Sequence, residues 1–229
     1  TFWHAGSQGR RAFDIWRSGI GRRPRIAVVH SYSTHLLILR RFLEMIDVNM
    51  ESDVELLVMP PIDMIHALSE KKIDGGCVGP PWGTEAERSG VAFRGGGSSS
   101  VFPDHVEKIM VASGELACSE ERVQAMTLAL QDAIAFCQAS QHRQNVADVL
   151  TASLAASGLA LPAEATRAVL PEGPAEETIN FVTGELQERD IGWIINDMTA
   201  LGWLEPSEQQ ILMNWGAAGV MASAPPVPF

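Results

Sequence analysis

Apolar residues along the first half of this chain change period several times, and each change predicts an element. From Ala5 to Ile20 the apolar Phe13, Ile15 and Trp16 precede Gly19-Ile-Gly-Arg-Arg-Pro24, which reads as the end of a helix and a connector. Arg25-Ile-Ala-Val-Val-His30 is dense in β-branched residues and reads as a buried strand. A polar turn, Ser31-Tyr-Ser-Thr-His35, follows it, and Ser33 or Thr34 is placed to cap a helix over Leu36 to Ile46. Val54 to Met59 is the next strand. Pro60-Pro61 then opens a helix with Ile62, Ile65 and Leu68 at helical spacing, and Ile73 to Val78 is a third strand.

Two successive β-α-β units of this length predict a parallel sheet with right-handed connections. Gly95-Gly-Gly-Ser-Ser-Ser100 reads as a surface loop; without a Lys-Ser or Lys-Thr ending it is no phosphate cradle. Glu107 to Ser113 is expected to form one more strand. Ser119-Glu-Glu caps a long helix to Cys137, with Val123, Met126, Leu130, Ile134 and Cys137 on one face. Past that point every pattern is helical, over 143–154, 162–170, 186–201 and 207–220. The expected division is therefore 1–23 as a helix end and connector, 24–117 as an α/β lobe, and 118–229 as a helical region.

The formal net charge of −11 argues against nucleic-acid or anionic-membrane binding, since both need clustered Lys and Arg. An anion pocket is still compatible with it, because charges beyond a Debye length of about 8 Å are screened and the lining groups decide the local potential. Such a pocket must be locally basic, and Arg10, Arg11, Arg17, Arg22, Arg23, Arg25, Arg40 and Arg41 do cluster early. No window approaches the ~18 apolar residues of a membrane span. Cys77, Cys118 and Cys137 form neither a disulfide framework nor a metal-ligand spacing, so no metal and no cofactor is expected. The chain opens on Thr1-Phe-Trp-His without an initiator Met and reads as a mature or truncated product.

Two strand ends each deliver a helix start with small or polar residues in front, the usual way an α/β lobe presents a small-anion site. At the first, Ser31, Ser33, Thr34 and His35 meet the positive end of a helix dipole, which favours an anion by ~0.3–1 kcal/mol. The plainer reading is a cap plus a surface or core imidazole. At the second, Gly79 admits close backbone approach and Trp82 can wall a pocket; the plainer reading is a turn glycine and a core indole. Lys108 alone reads as a solvated lysine. No nucleophile motif is present, Asp104-His105 and His66 have no nucleophile placed near them, and Trp193, Trp203 and Trp215 sit at packing intervals, so the chain is not expected to be an enzyme.

Arg25 to Leu43, Val58-Met-Pro-Pro-Ile-Asp-Met64, Ile73-Asp-Gly-Gly-Cys-Val-Gly-Pro-Pro-Trp82 and Pro103-Asp-His-Val-Glu-Lys108 together resemble, in order and spacing, the NrtA/CmpA-type nitrate/bicarbonate solute-binding proteins of ABC transporters, a family that includes NasS-like nitrate/nitrite sensors. The resemblance implies an α/β fold: a type II periplasmic-binding-protein-like lobe with a parallel-rich sheet, followed by a helical C-terminal region returning to the first lobe. The N-terminal half of that first lobe, ~130 residues at typical domain size, is expected to precede Thr1. His35, Gly79 and Lys108 correspond to positions that hold the anion, with Thr34 and Trp82 beside them. A lysine at 108 favours nitrate or nitrite, since the bicarbonate branch tends to carry an acidic residue there. Pro80 departs from the transporter branch, where Glu usually precedes Pro-Trp.

The function so implied is capture of nitrate or nitrite for an ABC permease, in a periplasmic or otherwise extracytoplasmic location. The alternative is a cytoplasmic sensor that sequesters an RNA-binding antitermination regulator. A third class, the thiamine-pyrimidine synthases that resemble these binding proteins, carries a cysteine-rich motif that Cys77, Cys118 and Cys137 do not form. Neither direct nucleic-acid contact nor a transmembrane segment is expected.

Overall fold

The computed structural model describes residues 6–103, 105–114, 118–152, 161–175, 178–182, 187–209 and 212. These divide into two compact units, Thr1–Pro103 with Ala139–Asn180, and Asp104–Gln138 with Phe181–Phe229.

In the first unit α1 (Ser7–Ile20) is a complete helix rather than the expected helix end. Its buried side carries Gly9 and Phe13, and it stops at Gly21, whose left-handed φ of 75° lets its N–H reach back to the Arg17 carbonyl. Then follow β1 (Arg25–Val28), α2 (Thr34–Met45), the short α3 (Met50–Asp53), β2 (Glu55–Val58), α4 (Pro61–Ser69), β3 (Gly75–Cys77) and α5 (Trp82–Arg88). The three strands are parallel in the order β2-β1-β3, with Val28 opposite both Val58 and Cys77.

That order places the two crossover helices on opposite faces, as right-handed connections require. On one face Met64 of α4 packs with Ala27, Ala67 and Ile73. A Cβ on Gly76 would lie 3.3 Å from the Met64 sulfur, so the small residue there admits α4. On the other face the Cys77 thiol donates to the His35 carbonyl of α2 at 3.4 Å. Leu36, Leu37, Ile38, Leu39 and Leu43 bury α2, each contributing ~1.5–3 kcal/mol of apolar burial. Two later helices, α7 (Arg143–Thr151) and α8 (Ala163–Val169), join this unit, and α8 packs on both α5 and α7.

The second unit holds α6 (Glu120–Gln138) and α9 (Glu188–Ala200). A capping box between Gln187 and Asp190 opens α9, which buries Trp193 and Ile195; the His105 ring meets Trp193 edge-on at 6.3 Å.

Two expectations fail here. Glu107–Ser113 has no regular secondary structure and enters no ladder among the described residues. Its β-branched residues favour strand, but a strand also needs a neighbour for its N–H and C=O groups, and Ile109, Met110 and Val111 remain exposed. The helix predicted there forms as α6, but the expected apolar face packs away no residue: none of the helix is buried, and Met126 and Leu130 are open to solvent. The helix expected over 207–220, with Trp215, lies almost wholly outside the described residues, as does Asp104.

Candidate anion site at the strand ends

Strand order β2-β1-β3 makes the gap between the ends of β1 and β3 a switch point: the chain leaves β1 toward β2 on one side, while β3 lies on the other. In open parallel sheets the crevice outside such carboxyl ends is where ligands enter. Of the residues picked from sequence, Thr34, His35, Gly79 and Trp82 all fall there.

Ser33 is the cap of α2. Its hydroxyl donates to the His30 carbonyl at 2.8 Å and accepts from the Leu36 N–H at 3.4 Å. The Tyr32 N–H donates to Nδ1 of His30 at 3.0 Å, which tightens the turn further. Thr34 and His35 are thus the first two helical residues, both half-buried, at the end where backbone N–H groups have no carbonyl one turn back.

Facing them, the chain leaves β3 through Val78 to Gly79. A Cβ built on Gly79 would stand 3.1 Å from Nε2 of His35 and 3.8 Å from its Cε1. Glycine is what lets the imidazole lie against this backbone. Behind it, Pro81 and Trp82 are buried at the start of α5, and the Trp82 N–H returns to the Gly79 carbonyl at 3.3 Å. The indole is 9% exposed, so it supports the site from the core side.

Lys108 belongs to the second unit. Its side chain is 85% exposed and its ammonium lies 2.9 Å from a Glu107 carboxylate oxygen.

The early arginine cluster does not make this site basic. Arg22 and the Arg25 N–H both hold Asp74, and Arg25 reaches Glu55, all at the entry end of the strands; His35 and Gly79 stand at the exit end. Arg10 and Arg17 grip Asp53 from α1. Arg40 pairs with Glu44 and Arg41 lies over the Phe102 ring, both beyond the first turn of α2. Sequence order alone could not tell the two ends of the sheet apart for residues that close in the chain.

The Cys77 contact is the part sequence reasoning missed. Cys77, considered in the sequence only for disulfide and metal spacing, ties β3 to the first turn of α2. Its alternation with Gly76 along β3 was the available signal. Among the described residues none of Cys77, Cys118 and Cys137 is joined in a disulfide, and no group of three or more His, Cys, Asp or Glu could hold a metal.

A family sequence model, described as the NMT1-like family, matches residues 2–151, more than half of the chain. The chain belongs to the NMT1-like family. Among its relatives are the bicarbonate transport ATP-binding protein CmpC of Synechocystis, 30% identical over 131 residues, and the nitrate import ATP-binding protein NrtC of the same organism, 29% identical over 126. These alignments take in 57% and 55% of this NMT1-like chain but only 20% and 19% of the relatives. The nitrate/nitrite binding protein NrtA of Synechocystis is 21% identical over 129 residues, 56% of this chain and 29% of that protein. This chain therefore spans less than a third of the relatives it matches.

Two solved structures share the fold. The periplasmic nitrate-binding protein NrtA from Synechocystis superposes with a TM-score of 0.72 at 16% identity, over 93% of this chain and 57% of its own. A zinc-bound ligand-binding component of an ABC-type import system from Staphylococcus aureus gives 0.57 at 19% identity, over 82% of this chain and 62% of its own. The expected periplasmic-binding-protein-like fold, with a parallel sheet followed by helices, is the one present.

Proposed function

We propose that this NMT1-like chain is part of a solute-binding protein that captures a small oxyanion, nitrate or nitrite, for an ABC importer. The observation that carries the reading is the approach of His35 to Gly79 at the switch point between β1 and β3. The imidazole of His35 and the N–H groups of Thr34 and His35 at the start of α2 stand at the same strand-end crevice, and N–H donors there are matched to anion oxygens. Lys108 supplies the charge-assisted donor. Its exposed pair with Glu107 is worth at most ~1 kcal/mol and is readily exchanged for a ligand.

Magnitude sets how much of the protein the ligand needs. Nitrate has few heavy atoms, and a ceiling of ~1.5 kcal/mol per atom gives it ~6 kcal/mol, against ~8.2 for micromolar binding. Only a closed, water-excluding cleft with charged donors exceeds that ceiling. The cleft is completed by a further lobe, the counterpart of the part of NrtA that this chain does not match. A periplasmic or otherwise extracytoplasmic location goes with the reading; among the described residues no helix is long and apolar enough to cross a membrane.

Calorimetric titration of nitrate into this chain and into the two-lobed protein is the test. The expected result is micromolar affinity for the second and at least tenfold weaker binding for the first. Equal affinities would sink the two-lobed proposal, and no binding by either protein would sink the anion reading itself.

One observation favours a second reading. Identity is higher to the ATP-binding relatives than to NrtA, and in this second reading the region is an anion-sensing module joined to an ATPase. A full-length polypeptide whose ATPase rate responds to nitrate would support it.

A further inference from the structure

The arginines that the anion site leaves unused have an arrangement of their own. Two adjoining shallow depressions of about 520 and 440 Å³ run along the outer side of α1 and share Asp14 and Ser18. Arg11, Ile15 and Ser18 follow at helical spacing along that side, and Ile15 is 66% exposed. Arg17, Arg22 and Arg23 line the second depression.

Most of these guanidiniums are matched. Arg10 binds Asp14 and Asp53, Arg17 binds Asp53, and Arg22 binds Asp74. Arg23 donates instead to the neutral carbonyls of Glu51 and Val54, and among the described residues Arg11 has no carboxylate partner. Five arginines and one carboxylate, Asp14, line the two depressions, and the ion pairs to Asp53 and Asp74 leave Arg11 and Arg23 without a carboxylate partner among the described residues. The rest of the chain runs the other way. Up to Gly114 thirteen basic residues balance thirteen acidic ones, and beyond it four face fifteen.

We propose that the outer side of α1 is a docking surface for an acidic segment of a partner protein, with carboxylates on Arg11 and Arg23 and one apolar side chain on Ile15. Nine helical positions lead from Arg11 to Ile20, ~14 Å at ~1.5 Å per residue, before Gly21 ends the helix and Arg23 follows, and about six extended residues are long enough to pass both arginines. A polypeptide fits better than a polyanion. It can place carboxylates at Arg11 and at the side of the Arg23 guanidinium that its two backbone carbonyls leave, with a neutral residue over Asp14, whereas a nucleic acid or an anionic bilayer brings evenly spaced charge against Asp14 and against a chain of net charge −11. The proposal does not depend on the anion reading, since this side of α1 is remote from the exit ends of β1 and β3 in the order of the fold.

The test uses this chain with a fluorescein-labelled hexapeptide of glutamates around a central leucine, the same peptide with lysine for glutamate, anionic phospholipid vesicles and single-stranded RNA. Fluorescence anisotropy at low salt is expected to give saturable binding of the glutamate peptide only, weakened about tenfold at physiological salt. Arg11→Glu and Ile15→Ser, both at exposed positions, are each expected to weaken it at least fivefold with unchanged circular dichroism. Unchanged affinity in Arg11→Glu, absence of peptide binding at low salt, or binding of vesicles or RNA in place of the peptide would each overturn the proposal.

Discussion

Nε2 of His35 lies 3.1 Å from where a side chain on Gly79 would begin. That is tighter than an ordinary carbon contact, so residue 79 sets the position of the imidazole through the space it leaves empty.

Gly79→Val is the direct consequence. The added branch displaces the His35 ring from the strand-end crevice, and nitrate affinity of the two-lobed protein is expected to fall at least tenfold, ~1.4 kcal/mol. Stability should drop by only ~1–3 kcal/mol, as for other overpacked sites. Calorimetry together with a thermal melt separates the two effects; wild-type affinity in a folded variant would remove Gly79 from the site.

Lys108→Glu gives the complementary result. With 85% of the side chain in solvent, reversal of its charge should change stability by no more than ~0.5 kcal/mol while abolishing nitrate binding in the two-lobed protein. If the melting temperature collapses instead, Lys108 is structural and the anion loses its proposed cation.

Asp53 predicts the acid limb of stability. Burial pushes its carboxyl up, but the Asn49 N–H and the guanidiniums of Arg10 and Arg17 outweigh that and hold it below its ordinary value. A carboxylate lowered on folding contributes stability above the unfolded pKa of ~3.9, and that contribution is lost as pH falls through the folded value. Urea midpoints should therefore decline below about pH 4 in the wild type and decline less in Asp53→Asn, whose stability at neutral pH is lower by ~1–2 kcal/mol. Parallel acid limbs in the two proteins would refute the assignment.

Gly173 tests the packing of α8. A Cβ there would overlap the Ala168 carbonyl, which already accepts the Ala175 N–H at 3.1 Å. Gly173→Ala should cost ~1–3 kcal/mol by forcing this turn open, read as a lower melting temperature. A neutral substitution would mean the turn relaxes freely.

The elements around the crevice were legible because their signals are local. Ile26-Ala-Val-Val29 marks β1 by its β-branched run, Ser33 caps α2 by its own hydroxyl, and Pro61 opens α4 with the φ it already has. That His35 and Gly79 come together follows from strand order, which right-handed crossovers nearly dictate. Glu107–Ser113 misled because its composition is that of a strand while pairing is a property of two segments. Arg22 and Arg25 misled in another way: a cluster in sequence is not a cluster at one end of a sheet, and Asp74 draws both to the far end. The same limit applies to α6, which forms where its helical pattern placed it although none of its residues is buried.

The exposed apolar residues of α6 also have a colloidal consequence. Met126, Leu128, Leu130 and Phe136 offer oily contact to any neighbour, and mutual repulsion among molecules of charge −11 is the force opposing it. Added electrolyte shortens the reach of that repulsion without weakening the greasy attraction, so solutions of the isolated chain should turn cloudy as ionic strength rises and stay clear when it is kept low.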